Sequence, residues 1–228
     1  MSNRGRSEEI LYIVNSEGSV SIHELAKRVF ASPSTVRRDL EVLERQGLLR
    51  RHHGGAESVL SFNPTQSIRR RRNRAEKNAI AAKAAALVSR GNTIFIDSST
   101  TAQYMIPYLS DVEQLTVYTN GADTAMRLAE AGVRVVSTGG ELFAESMAYV
   151  GRIAEDALRK VYFDAMFFSS AGFDAHFISD WSEHETALRR TAIEQSGKKY
   201  FLADISKRDK RYTHIVCSVS SIDKIICE

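Results

Sequence analysis

An α/β chain in two unequal parts is predicted by three observations. Residues 1–56 show short helical stripes and one basic strip, residues 93–203 alternate short apolar runs with helical stretches, and the two parts differ in charge. Residues 1–75 hold 14 Lys+Arg against 8 Asp+Glu, leaving 17 against 20 for residues 76–228. A small basic head on a mildly acidic body fits a nucleic-acid-binding module joined to a part with another task. At 228 residues the chain has length for both, with a sizeable core in the larger one.

Composition narrows the class further. No run approaches the roughly 18 to 20 apolar residues of a membrane span. Met1 to Arg6 also lacks the apolar core of a signal peptide, so a cytoplasmic location is expected. Cys217 and Cys227 are the only cysteines and form no CxxC, which points to buried free thiols rather than to a disulfide framework or a cysteine zinc site. No pattern implies a cofactor or a metal.

In the head, Ser7–Ser16 carries Ile10, Leu11 and Val14 at helical spacing, and Gly18 ends it. Ser21 with Glu24 three residues on makes a capping-box pattern for a second helix, whose apolar stripe is Ile22, Leu25, Ala26 and Val29. A third helix is bounded by Ser32 as N-cap, Pro33 at the first helical position and Gly47 just past the end. At 100° per residue Val36, Leu40 and Leu43 share one stripe, while Ser34, Arg37, Arg38, Glu41 and Arg45 gather opposite. Two short helices feeding a third that offers arginines outward make a helix-turn-helix, the last helix entering the DNA major groove. Ser34, Thr35, Arg37 and Arg38, near its N-terminal end, are the expected DNA contacts, ahead of Glu41 and Arg45.

After Gly47, Leu48-Leu49 turns into Arg50-Arg51-His52-His53-Gly54-Gly55-Ala56, a β-hairpin wing whose Arg50 and Arg51 can reach phosphates. The paired histidines are not read as metal ligands, because neighbours on a strand point to opposite faces.

The run Leu25-Ala26, Ser32, Thr35-Val36-Arg37-Arg38-Asp39-Leu40, Leu43, Gly47, Arg51 and Gly54-Gly55-Ala56 resembles the N-terminal winged helix of DeoR-family bacterial transcriptional regulators. The resemblance implies a repressor of a carbohydrate-metabolism operon, a homo-oligomer whose C-terminal domain senses a phosphorylated sugar on a fold like that of ribose-5-phosphate isomerase. The expected division is residues 1–56 as DNA-binding head, 57–75 as basic linker and 76–228 as sensing and oligomerisation domain. The linker holds Pro64 and ends in Arg69-Arg70-Arg71-Arg72-Asn73-Arg74, either adding DNA attraction or solvated.

Glu76–Arg90 is an alanine-rich helical stretch stopped by Gly91. Thr93–Asp97, Leu115–Thr119, Val133–Ser137, Ala165–Ser169 and Lys199–Ala203 then read as buried strands. Helical stretches lie at Thr100–Leu109, Gly121–Ala131, Arg152–Lys160 and His184–Ser196. Apolar strands with helical crossovers imply a mainly parallel sheet, with ligands held outside the carboxyl ends of its strands.

Polar and glycine residues follow those strands. Ser99-Thr100-Thr101, leading into a helix, is the natural phosphate cradle, and Lys207 adds a positive charge. Asp97, Glu141 and Asp174 suit sugar hydroxyls. The resemblance extends to the sensor pattern Asp-x-Gly-Thr-Thr, Thr-Asn, Gly-Gly, Gly-hydrophobic-Asp and Asp-x-x-Lys. It implies effector contacts at Asp97, Ser99, Thr100, Thr101, Thr119, Asn120, Gly139, Gly140, Glu141, Gly172, Asp174 and Lys207, with Ser99 standing where the pattern has glycine. The stretch Ala175–Glu185 is expected as a loop over the ligand mouth rather than as a metal cluster of His176, Glu183, His184 and Glu185, with Trp181 on the sugar or on the sheet. The alternative function is a sugar-phosphate isomerase using Asp97, Asp174 or Lys207 as acid and base, with the head as regulator.

Overall fold

Apolar periodicity builds the head. The computed structural model describes residues 3–17, 19–52, 54–58 and 66–228, which fall into two compact units, Met1–Arg69 and Arg70–Glu228. The first runs α1 (Asn3–Glu17), β1 (Ser19–Ser21), α2 (Ile22–Arg28), α3 (Pro33–Arg45), β2 (Leu49–His52) and β3 (Gly55–Ser58). Its core holds every expected stripe position except Leu11, which is only partly buried, and adds Ile13, Val20, Leu49 of the first wing strand and Ala56. The three strands pair antiparallel in the order β1-β3-β2. β1 is invisible to pattern reading, since three residues cannot display an alternation. The wing runs to Ser58, two residues beyond the expected head. Gly18, His53 and residues 59–65 of the expected linker lie outside the described residues.

The helix ends follow the caps. The Ser21 hydroxyl accepts the Glu24 N–H at 3.2 Å, while the Glu24 carboxylate turns to Arg28 at 2.7 Å, so half of the capping box forms. Ser32 accepts the Thr35 N–H at 3.2 Å. Gly47 takes φ +71° just past α3, the left-handed conformation that glycine adopts without a Cβ clash.

The helix α4 (Gln66–Arg71) occupies the end of the expected linker. The body then runs α5 (Arg74–Ala85), β4 (Thr93–Ile96), α6 (Thr100–Gln103), β5 (Thr116–Thr119), α7 (Ala122–Glu130) and β6 (Arg134–Ser137). It continues with β7 (Glu141–Phe143), β8 (Ala148–Val150), α8 (Arg152–Leu158), β9 (Phe163–Phe168), β10 (Gly172–Phe173) and β11 (Phe177–Asp180). The last elements are α9 (Glu183–Glu194), β12 (Ser196–Ala203), β13 (His214–Ser218) and β14 (Lys224–Cys227).

Six strands form a wholly parallel sheet in the order β14-β12-β9-β4-β5-β6. Successive residues pack on opposite faces: Ile94 and Ile96 join α5 and Leu128 on one side, and Phe95 joins Phe163, Phe168 and α9 on the other. The order reverses beside β4, with β5 and β6 on one flank and β9, β12 and β14 on the other. The carboxyl ends of β4 and β9 therefore flank the switch point, where open α/β sheets hold their ligands.

Three expectations change. α5 stops at Ala85 rather than Arg90, its last bonds tightening to Leu87→Ala84 and Val88→Ala85. The helix expected to reach Leu109 stops at Gln103, short of Pro107, which cannot donate to a helical ladder. Finally, 177–180 is not an open loop but β11, paired on both sides with β10 and β13 and burying Ile178, Ser179 and Asp180. Both cysteines are free and half-buried, and burial pushes both thiols up, towards the unreactive protonated form. No helix among the described residues is long and apolar enough to cross a membrane.

Candidate functional site: a reading helix and a strand-end cluster

In the head, α3 buries Val36, Leu40 and Leu43 and leaves Ser34, Arg37 and Arg38 exposed, with Thr35 half-buried. The hydroxyls of Ser34 and Thr35 each lie 2.8 Å from that of Ser32, so the cap and the first turn share one hydroxyl cluster. Asp39, on the inner side, takes Arg6 of α1 in a two-pronged pair at 2.6 and 3.2 Å. That clamp fixes the rotation of α3 about its axis and keeps Arg37 and Arg38 pointing outward. On the wing, Arg50 is 74% exposed with Glu57 at 3.8 Å, a contact that leaves its guanidinium open to a partner. Arg51 is engaged: its backbone and side-chain N–H groups both reach the Glu44 carboxylate, at 2.8 and 2.6 Å. These bonds hold the Glu44 carboxyl below its usual range and tie the wing to the end of α3.

In the body, Asp97 directly follows β4 and is 1% exposed. One of its oxygens accepts the Ser99 N–H at 3.1 Å and the Ser99 hydroxyl; the other accepts the Ser169 N–H at 3.4 Å and Arg189 Nε at 3.0 Å. A carboxylate has about four acceptor positions, so Asp97 is filled from within the protein. Ser99 takes φ −65°, ψ 141°, ordinary backbone for a serine, and its hydroxyl caps α6 through the Ala102 N–H at 3.3 Å. The residue in the place of the family glycine thus carries no strain.

Two lysines converge on this edge. The buried Lys77 Nζ, from α5, donates to Thr100 Oγ1 at 3.1 Å. Lys207 Nζ, beyond β12, donates to the Ser169 hydroxyl at 2.6 Å. Beside them Asp204 is 2% exposed. Burial alone would raise its carboxyl, but Lys207, the Ser206 hydroxyl, Asn73 and Lys77 hold it below the usual value. Thr101 Oγ1 is buried with no hydrogen-bond partner among the described residues.

The remaining expected residues divide. Asn120 joins the cluster, its Oδ1 accepting the Ser98 N–H at 3.0 Å and its Nδ2 donating to the Tyr149 carbonyl at 3.2 Å. Thr119 accepts the Gly121 N–H at 3.0 Å and shapes that turn. Gly139 and Gly140 take φ +62° and +112° at the end of β6; a Cβ on Gly140 would come within 2.9 Å of the Val150 carbonyl. Glu141 stands exposed at the start of β7. Gly172 is required by packing, because a Cβ there would lie 2.6 Å from the Lys210 carbonyl. Asp174 closes the β10–β11 turn, accepting the N–H groups of His176 and Phe177 at 2.8 and 2.9 Å and pairing with Arg211 at 2.6 Å. Arg211 and those two N–H groups hold its carboxyl far below the usual range.

Sequence reading missed Lys77, Ser169 and, above all, Arg189. Arg189 on α9 is 4% exposed and meets Asp97 and Asp180 at 3.0 Å each and Glu185 at 3.5 Å. Burial works against its charge, and Asp180, Asp97 and Glu185 more than restore it. Ser98 donates to Glu185 at 3.3 Å and Ser170 to Asp180 at 2.9 Å, spreading the network along the strand ends. A Glu-x-x-x-Arg spacing on α9 was the one available signal, and it reads equally well as a surface ion pair.

Two family models cover most of the chain: a DeoR-like helix-turn-helix domain over residues 6–62 and a DeoR C terminal sensor domain over residues 72–228. The uncharacterized HTH-type transcriptional regulator YulB of Bacillus subtilis is 37% identical over 227 residues, covering 98% of this chain and 88% of that protein. The lactose phosphotransferase system repressor of Staphylococcus aureus is 31% identical over 234 residues, covering 100% and 93%. Among solved structures, ribose 5-phosphate isomerase A from Methanocaldococcus jannaschii aligns over 60% of this chain and 55% of that one, at 15% identity and a TM-score of 0.46.

Proposed function

The chain belongs to the DeoR family of transcriptional regulators, and on that premise we propose that it represses a carbohydrate operon, as a cytoplasmic homo-oligomer, under control of a phosphorylated sugar bound at the strand-end cluster. The observation that carries this reading is the pair of ammonium groups, Lys77 and Lys207, set on the hydroxyls of Thr100 and Ser169 at the switch point. Two cations beside hydroxyls and backbone N–H groups suit a phosphate monoester, which offers three acceptor oxygens and about two negative charges. In this reading Asn120 and the turn at Gly139-Gly140, at the ends of β5 and β6, take the sugar. Asp97 acts here as a builder of the Ser99 turn, and Asp174 as a turn cap. Neither is assigned a catalytic proton transfer, and the chain is read as a sensor without turnover. In the head, Ser34, Thr35, Arg37 and Arg38 meet base edges and Arg50 a phosphate, with Arg51 contributing through the wing it holds.

An effector controls DNA affinity only if it binds two states of the protein unequally. A thermal-shift panel of pentose and hexose phosphates, each paired with its unphosphorylated sugar, tests the sensor. At least one phosphate should raise the melting temperature by a few degrees, the parent sugars should be silent, and Lys77→Met and Lys207→Met should each remove the shift. A panel in which no phosphate acts, or in which both lysine variants respond as the parent does, would refute the site.

A further inference from the structure

Both α2 and α3 end in the same six-residue motif, yet they fill it differently. After α3, the Leu48 N–H reaches the Leu43 carbonyl at 3.0 Å and the left-handed position between them is Gly47. After α2, the Ala31 N–H reaches the Ala26 carbonyl at 3.0 Å, and the left-handed position is Phe30, at φ +49°. Glycine is the usual occupant because a Cβ there meets backbone. Asparagine and aspartate are the usual exceptions, and a bulky aromatic at positive φ is an outlier. Of the other four non-glycine residues at positive φ, two are Asn73 and Asp209.

The Phe30 ring returns nothing to the fold for this strain. It is 93% exposed and takes no part in the head core, whereas its neighbours Val29 and Ala31 do. Residue 30 lies two positions before the Ser32 cap, in the turn that leads into the N-terminal end of α3. That end of a reading helix is the one that faces base edges, and the turn before it flanks the groove wall.

We infer that Phe30 is a DNA-contacting residue, its ring packing on the apolar face of the deoxyribose backbone beside the half-site read by α3. The contact is apolar and continuous with the arginine surface of α3. It adds affinity without neutralising a phosphate. The inference rests on α3 being the reading helix.

The test uses a duplex selected from a random-sequence pool by the full-length protein, titrated at several salt concentrations with the parent, Phe30→Gly, Phe30→Asn, Phe30→Tyr and Arg38→Ala. Glycine and asparagine both accept the left-handed backbone, so neither variant should melt lower than the parent. Each should bind about tenfold more weakly, the effect of withdrawing on the order of 60 Å² of apolar contact. The slope of log affinity against log salt should stay unchanged, since no cation is lost. Phe30→Tyr should bind within about threefold of the parent, its ring being retained. Parental affinity in both Phe30→Gly and Phe30→Asn would overturn the inference, and so would lower melting in both, which would make the ring a support of the fold. Arg38→Ala separates the two levels: if it binds as the parent does, the reading of α3 fails; if it alone loses binding, only the role of Phe30 fails.

Discussion

The two units use buried polarity in opposite ways. The head has an apolar interior beside which the buried Asp39 is answered by Arg6 from a neighbouring helix; its proposed DNA contacts, Ser34, Arg37, Arg38 and Arg50, are all on the outside. The body buries Asp97, Asp180, Glu185 and Arg189 together at the carboxyl ends of its strands, with Lys77 and Asp204 close by. A surface that meets DNA needs only rigid support behind it, because the polyanion comes to the protein. A site for a small charged ligand, as proposed for the body, must assemble its charges inside a sheet edge before the ligand arrives, and each of them must be satisfied meanwhile.

The contrast is sharpened most strongly at Arg189. Removing it leaves three carboxylates facing one another without a cation, so Arg189→Ala should lower the stability of the full chain by about 3–5 kcal/mol, read by urea unfolding. A loss within 1 kcal/mol would mean that the cluster is open to water and not a buried frame. Next in size is Arg38→Ala, which should weaken specific operator binding by roughly 10- to 100-fold while the melting temperature and the sugar-phosphate response stay as in the parent. Loss of both together would make α3 a structural helix and erase the distinction between the units.

The smallest effect concerns acid. Because the Asp204 carboxyl is held below its usual value, it contributes stability that is present above the unfolded value of about 3.9 and is lost as pH falls through its lower folded value. Asp204→Asn should therefore flatten the fall of stability below about pH 4 in acid unfolding curves. An unchanged curve would take Asp204 out of the charge frame.

The family relation and the fold class were legible in the sequence through local chemistry. Ser21 and Ser32 are caps where hydroxyls precede helical stripes, Gly47 ends a helix where it can take positive φ, and apolar runs such as Thr93–Ile96 are strands buried on both faces. Shorter pieces escaped. β1, with three residues, and β10, with two, show no period, and β11 was hidden in a stretch rich in polar residues because its pairing with β13 comes from partners 34 to 41 residues downstream. The strand-end motifs gather along one edge of the sheet, and the sequence did not say which of their side chains are already occupied there. Asp174 matched a sugar-binding carboxylate by type, yet its oxygens are taken by Arg211 and two turn N–H groups.

By itself, then, the sequence determined much of what is set within a turn or two of chain: the capped starts of α2 and α3, the apolar strands β4, β5, β6, β9 and β12, the outward face of α3 and the basic head. The tertiary structure alone decided which charges meet. Lys77 reaches Thr100 across 23 residues, Lys207 reaches Ser169 across 38, and Arg189 reaches Asp97 across 92. Caps and amphipathic stripes are local interactions that residue order encodes directly. A buried ion network depends on the order of strands in the sheet, and that order exists only once the chain has folded.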